Sequence, residues 1–127
     1  MKIEPLIVVN DVQLSSKFYQ QVLLCQSAHG GDEYEMLTSN DNLILQLHAK
    51  NVHDHPGLYD VKSSVGNGVC LWFRTNDFDS AVKRVHEFSP EIVADSHVNP
   101  NAKQNEIWFR DLDGYLVVIS NNYGDAD

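Results

Sequence analysis

The stretch HAKNVHDH brings His48, His53, Asp54 and His55 close together, a crowd of side chains able to hold a metal ion. Ligands must converge on one point, so metal centres recur at set spacings; this run matches none of the common templates, and loop His-Asp pairs of this kind are mostly solvated. His48 differs from its neighbours because it shares the strand parity of Gln46. It can donate to a ligand or act as a general base, or it can be a strand-end histidine reaching solvent. Cys70 would be a nucleophile only beside a base, and none is visible from spacing, so a small thiol lining a pocket is expected. Trp72, and Trp108 with Glu106 and Arg110 on one face of its strand, combine aromatic rings with a few charges. That combination sandwiches planar or cationic ligands, and it equally fills a cavity or a dimer interface. His29, His86 and His97 have no convergent partners in the sequence and read as surface residues.

These residues need a scaffold, and the composition bounds it. A chain of 127 residues is the size of one domain, and 43% hydrophobic with 21% charged residues describes a globular protein. Nine basic residues against 18 acidic ones leave a net charge of −9, which excludes nucleic acid and anionic membranes as expected partners and suits a neutral or cationic ligand. No apolar run approaches the roughly twenty residues of a membrane span. The start MKIEPLIVVND sets Glu4, Pro5 and Asn10 where a signal peptide keeps an apolar stretch, so the protein reads as cytoplasmic. Cys25 and Cys70 are too few for a disulfide framework and are expected to be buried free thiols.

IEPLIVV reads as a strand closed by Asn10 and Asp11, and Asp11 can cap a helix in which Leu14, Phe18 and Val22, flanked by Val12 and Tyr19, form the apolar stripe. YEMLTS and LILQLHA are strands joined by a turn at 39–42, and a loop over 50–66 follows. The order then repeats: VCLWFR, an Asn76-Asp77 cap, a helix with Phe78, Ala81, Val82 and Val85 inward, and the strands EIVADS, NEIWFR and YLVVIS. The turn DLDG, at 111–114, starts the last of these. Two βαβββ modules are predicted.

VNDVQLSSKFYQQVL resembles the first-module signature of the vicinal oxygen chelate superfamily, the glyoxalase, bleomycin-resistance protein and extradiol dioxygenase group, in which an Asp cap precedes a small residue and Phe-Tyr. FRDLDGYLVVIS is similar to its second signature, although Leu112 stands where Pro is usual and Leu24-Cys25 where Leu-Gly is usual. The resemblance implies an α+β fold: two βαβββ modules forming an open, curled, eight-stranded mixed sheet around a cavity, with helices outside. One domain, 1–127, would comprise module one over about 1–50, a linking loop over about 51–66 and module two over about 67–122.

Strand parity divides the side chains accordingly. Ile7, Val9, Leu43, Leu45, Leu47, Leu71, Phe73, Val117 and Ile119 share a uniformly apolar face, suited to lie under the helices. The opposite, mixed face carries Glu4, Leu6 and Val8; Ile44, Gln46 and His48; Cys70, Trp72 and Arg74; and Leu116, Val118 and Ser120. Such a mixture is usual in a small-molecule pocket. The family's metal-ligand positions fall on Glu4, Gln46, Cys70 and Val118. Only Glu4 is an ordinary ligand and Val118 has no donor atom, so no metal and no other cofactor is expected. The expected function is binding of a small organic molecule in the cavity between the modules, as in the bleomycin-resistance type. Two other readings stand beside it: a metal-dependent lyase of lactoylglutathione type or a dioxygenase, with displaced ligands such as Glu4 and His48, and an interaction module whose cavity is plugged by Trp72 and Leu116. The resemblance also implies a homodimer, with module exchange left open.

Overall fold

The computed structural model describes residues 1–50, 58, 65–89 and 91–126. The chain divides into two compact units, Met1–Val65 and Gly66–Asp127. The first holds β1 (Leu6–Val9), α1 (Val12–Leu23), β2 (Gln26–Ser27), β3 (Tyr34–Ser39) and β4 (Asn42–Ala49). The second holds β5 (Cys70–Arg74), α2 (Phe78–Phe88), β6 (Glu91–Asn99), β7 (Gln104–Arg110) and β8 (Leu116–Ser120). Each is a βαβββ module whose first strand pairs in parallel with its last, giving the sheet orders β1-β4-β3-β2 and β5-β8-β7-β6. The eight expected strands thus form two four-stranded mixed sheets, neither closed into a barrel.

Both helices start as their caps predict. The Asp11 carboxylate accepts from the Leu14 amide at 2.9 Å, and that of Asp77 from Ser80 at 3.3 Å, satisfying amides that have no partner inside the helix. α1 ends on Leu24 in the left-handed conformation (φ 54°), at the junction where the family usually has Leu-Gly. The hairpin between β3 and β4 turns on Asn40 and Asp41, both at positive φ, as a two-residue loop that matches strand twist. At 111–114 the Asp111 carboxylate accepts from the amides of Asp113 (2.9 Å) and Tyr115 (2.8 Å), and Gly114 takes φ 91°.

In the first sheet Ile7, Val9, Leu37, Leu45 and Leu47 are buried on one face, and each such side chain stabilises the fold by about 2 kcal/mol. α1 lies against β2, β3 and β4. Its buried positions are Val12, Ser15, Ser16, Phe18, Tyr19 and Val22, whereas Leu14 is 57% exposed, contrary to expectation. An i, i+4, i+8 series drifts around the helix by about 40° per step, and its first member falls outside a stripe centred on Ser15, Tyr19 and Val22. The helix-facing side of this sheet is not uniformly apolar either. Glu35 pairs in register with Leu47, shares its face, and is 3% exposed. The second sheet follows the expected division, with Leu71, Val117, Ile119, Ile107 and Phe109 buried together with Phe78, Ala81 and Val85 of α2.

Candidate functional site

Glu35 is the first polar group that the sequence did not flag. One of its carboxylate oxygens, Oε1, accepts from three backbone amides, those of His29 (3.2 Å), Gly30 (2.7 Å) and Met36 (3.0 Å). The other, Oε2, accepts from the hydroxyls of Ser16 (2.8 Å) and Ser27 (2.7 Å). Burial pushes its pKa up, yet these donors outweigh burial and hold it below the usual carboxylate value. With every lone pair in use, it ties α1 to the β2–β3 connection and has none to offer a substrate.

On the helix-free face of the first sheet, β1 and β4 align Leu6 with Gln46 and Val8 with His48, and β3 sets Met36 and Tyr34 beside them. Gln46 is committed at both ends of its amide: Oε1 accepts from the Tyr34 hydroxyl, and Nε2 donates to the Glu4 carbonyl at 3.1 Å. His48 is buried rather than reaching solvent, and its Nδ1 lies 2.8 Å from the Ala49 carbonyl, so that nitrogen carries the proton. Tyr34 stands between the rings of His29 and His48, at 5.0 and 6.3 Å, and its hydroxyl pKa is raised by burial and by the charges of Glu4 and Glu35.

On the helix-free face of the second sheet, three rows of side chains run across the strands. Arg74, Ser120, Glu106 and His97 form the first; Trp72, Val118, Trp108 and Ala94 the second; Cys70, Leu116, Arg110 and Glu91 the third. Glu106 is fully buried and accepts from Gln104 Nε2 (2.7 Å), Asn99 Nδ2 (3.0 Å) and Trp108 Nε1 (3.0 Å). His97 Nε2 lies 3.7 Å away, so His97 does have a convergent partner, one revealed only by strand register. Burial raises the Glu106 pKa and these donors bring it down by more, leaving it below the ordinary value. Ser120, also fully buried, accepts from Trp72 Nε1 at 2.8 Å and from Arg74 Nη1 at 3.4 Å. Arg110 donates to the Gly114 carbonyl at 3.1 Å.

The face is therefore a row of two indoles flanking Val118, with a guanidinium at two opposite corners. Trp72 is 42% exposed, Trp108 and Leu116 are half-buried, and Val118 is fully buried. Cys70 is exposed, not buried as expected, because it opens β5 on the side away from α2. Burial and then the Glu106 charge raise its thiol pKa, which works against a nucleophilic role.

The four positions where the family carries metal ligands do not suit a metal. Val118 has no donor atom and Gln46 has both ends of its amide engaged, which leaves only Glu4 and Cys70, fewer than the three protein ligands of a catalytic metal site. The displaced pair fares no better: Glu4 lies four residues along the strand from the row of His48, roughly 13 Å at the backbone. Among the described residues no three His, Cys, Asp or Glu side chains form a group that could hold a metal ion. His53, Asp54 and His55 lie outside the described residues. Among the described residues no helix is long and apolar enough to cross a membrane.

Comparison with known proteins agrees with this architecture. No curated protein sequence matches the chain. Its fold is similar to that of a glyoxalase/bleomycin resistance protein/dioxygenase family enzyme from Burkholderia phytofirmans (16% identity, TM-score 0.78, 95% of this chain and 98% of that one). It is also similar to a glyoxalase/bleomycin resistance protein/dioxygenase from Nocardioides (15%, TM-score 0.74, 100% and 87%) and to a virulence protein from Salmonella typhimurium (21%, TM-score 0.71, 96% and 97%). The model of the Glyoxalase/Bleomycin resistance protein/Dioxygenase superfamily matches residues 3–119, and the chain belongs to that family.

Proposed function

We propose that the protein is a binding member of its family, of the bleomycin-resistance type, which holds a small organic molecule without a metal. The observation that carries this is Val118: a fully buried, apolar side chain lies where a metal-dependent relative would present a carboxylate, with an indole on either side of it. A surface of two indoles, Leu116 and two guanidiniums suits contact with a flat organic molecule better than acid–base chemistry, because the Glu106 carboxylate already accepts three hydrogen bonds. Trp72, at 42% exposure with its indole N–H on Ser120, supports an available wall and speaks against a plug.

Metal analysis of protein purified without chelators, combined with a methylglyoxal–glutathione turnover assay, tests the reading. The expected result is less than a tenth of a metal ion per chain and no turnover. One metal per chain together with turnover would overturn it and favour the lyase. Thermal-shift screening should yield small molecules that raise Tm, since a ligand at a hundred times its Kd stabilises the native state by about 2.7 kcal/mol. The same reading takes the protein to be a cytoplasmic homodimer, and light scattering in solution gives the oligomeric state.

A further inference from the structure

The ligand class of this site follows from how Arg74 and Trp72 are held, and the inference rests on the small-molecule reading above. Arg74 lies on the helix-free face of the second sheet, one row from Trp72, with its guanidinium carbon 6.0 Å from the indole centroid. Its Nη1 donates to Gln104 Oε1 (2.8 Å), the Asn121 carbonyl (3.0 Å) and Ser120 Oγ (3.4 Å). All three acceptors are neutral, and no carboxylate forms an ion pair with Arg74 among the described residues. The nearest acid in the network, Glu106, is one amide away: Gln104 accepts from Arg74 and donates to Glu106, which also accepts from Asn99 and Trp108. The guanidinium is thus fixed in place and retains its charge, and no hydrogen bond engages its Nε and Nη2 donors among the described residues. Beside it, Trp72 is fixed by its own bond to the same buried Ser120 hydroxyl and leaves 42% of its surface open.

A fixed, unpaired guanidinium presents a planar fork of N–H donors matched to a carboxylate, and a fixed indole presents a face for stacking. We propose that Arg74 and Trp72 bind a flat aromatic carboxylate, with its ring on the indole of Trp72 and its carboxylate on the free N–H donors of Arg74. Ser120 is the positioning residue that orients both. The overall charge of −9 pointed instead to a neutral or cationic ligand. Local geometry decides otherwise, because exposed charges beyond about 10 Å are screened while Arg74 would touch the ligand.

The test titrates the full chain with 2-naphthoate, 2-naphthamide and 2-naphthylmethylamine, which share a ring system and differ in charge, following binding by tryptophan fluorescence and calorimetry. Naphthoate is expected to bind about tenfold or more tightly than the amide, with the amine weakest. R74Q should weaken acid binding about tenfold or more and amide binding by less, so that the preference of acid over amide is lost, and R74K should restore part of it as a point charge without the fork. Comparison of the three probes on the unaltered protein needs no variant, so misfolding of R74Q would not shield the proposal. An amine or amide that binds as tightly as the acid overturns the aromatic-carboxylate assignment and leaves small-molecule binding standing, as does an acid preference that survives R74Q. Failure of all three probes to bind also overturns it, and bound metal with turnover in that case removes the binding-protein reading as well.

Discussion

Replacing Glu35 by alanine is expected to destabilise the protein by about 3–5 kcal/mol, although its hydrogen bonds leave it nothing to offer a ligand. Truncation would leave three backbone amides and two hydroxyls without their acceptor, the Ser16 hydroxyl in a buried place and the other four in partly buried ones. Hydrogen bonds to a charged acceptor contribute about 1.5–3 kcal/mol each but are not additive within one network, which sets the range. Glutamine separates geometry from charge. Its carbonyl oxygen can keep the three amides now on Oε1, and its NH₂ can donate to Ser16 and Ser27, whose hydroxyls rotate to accept. Glu35→Gln should therefore cost only about 1–2 kcal/mol. Urea unfolding at pH 7 followed by far-ultraviolet circular dichroism is the appropriate assay, because both tryptophans lie in the second unit and would miss the first. The alanine variant should also lose about 10–20 °C of Tm. Since the folded pKa of Glu35 lies below its ordinary value of 4.5, its contribution is complete above that value and is lost as pH falls through the lowered one. Below pH 4.5 the stability of the native protein should consequently fall more steeply than that of Glu35→Gln. Equal losses for Ala and Gln would refute the assignment of amides to one oxygen and hydroxyls to the other; a loss under 1 kcal/mol for Ala would refute the network altogether.

Two other expectations follow from burial. Val118→Glu, which restores the carboxylate of a metal-dependent relative, should cost about 3 kcal/mol or more and confer no metal binding, because it sets an unpaired charge at a fully buried position; stability equal to that of the native protein, or a bound metal, would count against the site as described. Native protein should show one thiol open to a disulfide reagent, Cys70, while Cys25, buried with its pKa pushed to about 11, reacts only after unfolding. Rapid reaction of both would contradict the burial of Cys25.

Short-range chemistry made much of the fold legible. Asp11 and Asp77 announce their helices because a cap acts within three residues, and the turns at 39–42 and 111–114 are marked by residues that accept positive φ or bond their own backbone. β2 was not legible: Gln26 and Ser27 are exposed and too few to show a period. Leu14 misled because a list of apolar residues at helical spacing does not fix the phase of the stripe, which here is set by Ser15 and Ser16 lying inward. The polar network was hidden for a related reason. Parity placed Arg74 and Ser120 on the right face, but nothing local shows that Ser120 stands across from Glu106, or that His97 does on the other side; that pairing depends on strand register.

Register also separates the two buried carboxylates into different roles. Glu35 is the second residue of β3 and Glu106 the third of β7, and β3 and β7 are corresponding strands of the repeated module. An offset of one residue turns a side chain to the other face of a sheet, so Glu35 points at α1 while Glu106 points away from α2, beside Trp108. Their donors differ to match. Glu35 is held by three backbone amides and two hydroxyls, and the amides cannot change partner without breaking the β2–β3 connection. Glu106 is held only by side chains, namely Gln104, Asn99 and Trp108. The first carboxylate therefore fixes the fold of its module, and the second anchors the polar network that holds Trp108 directly and Arg74 through Gln104. On that basis the helix-free face of the second sheet is where selectivity for a ligand should be sought.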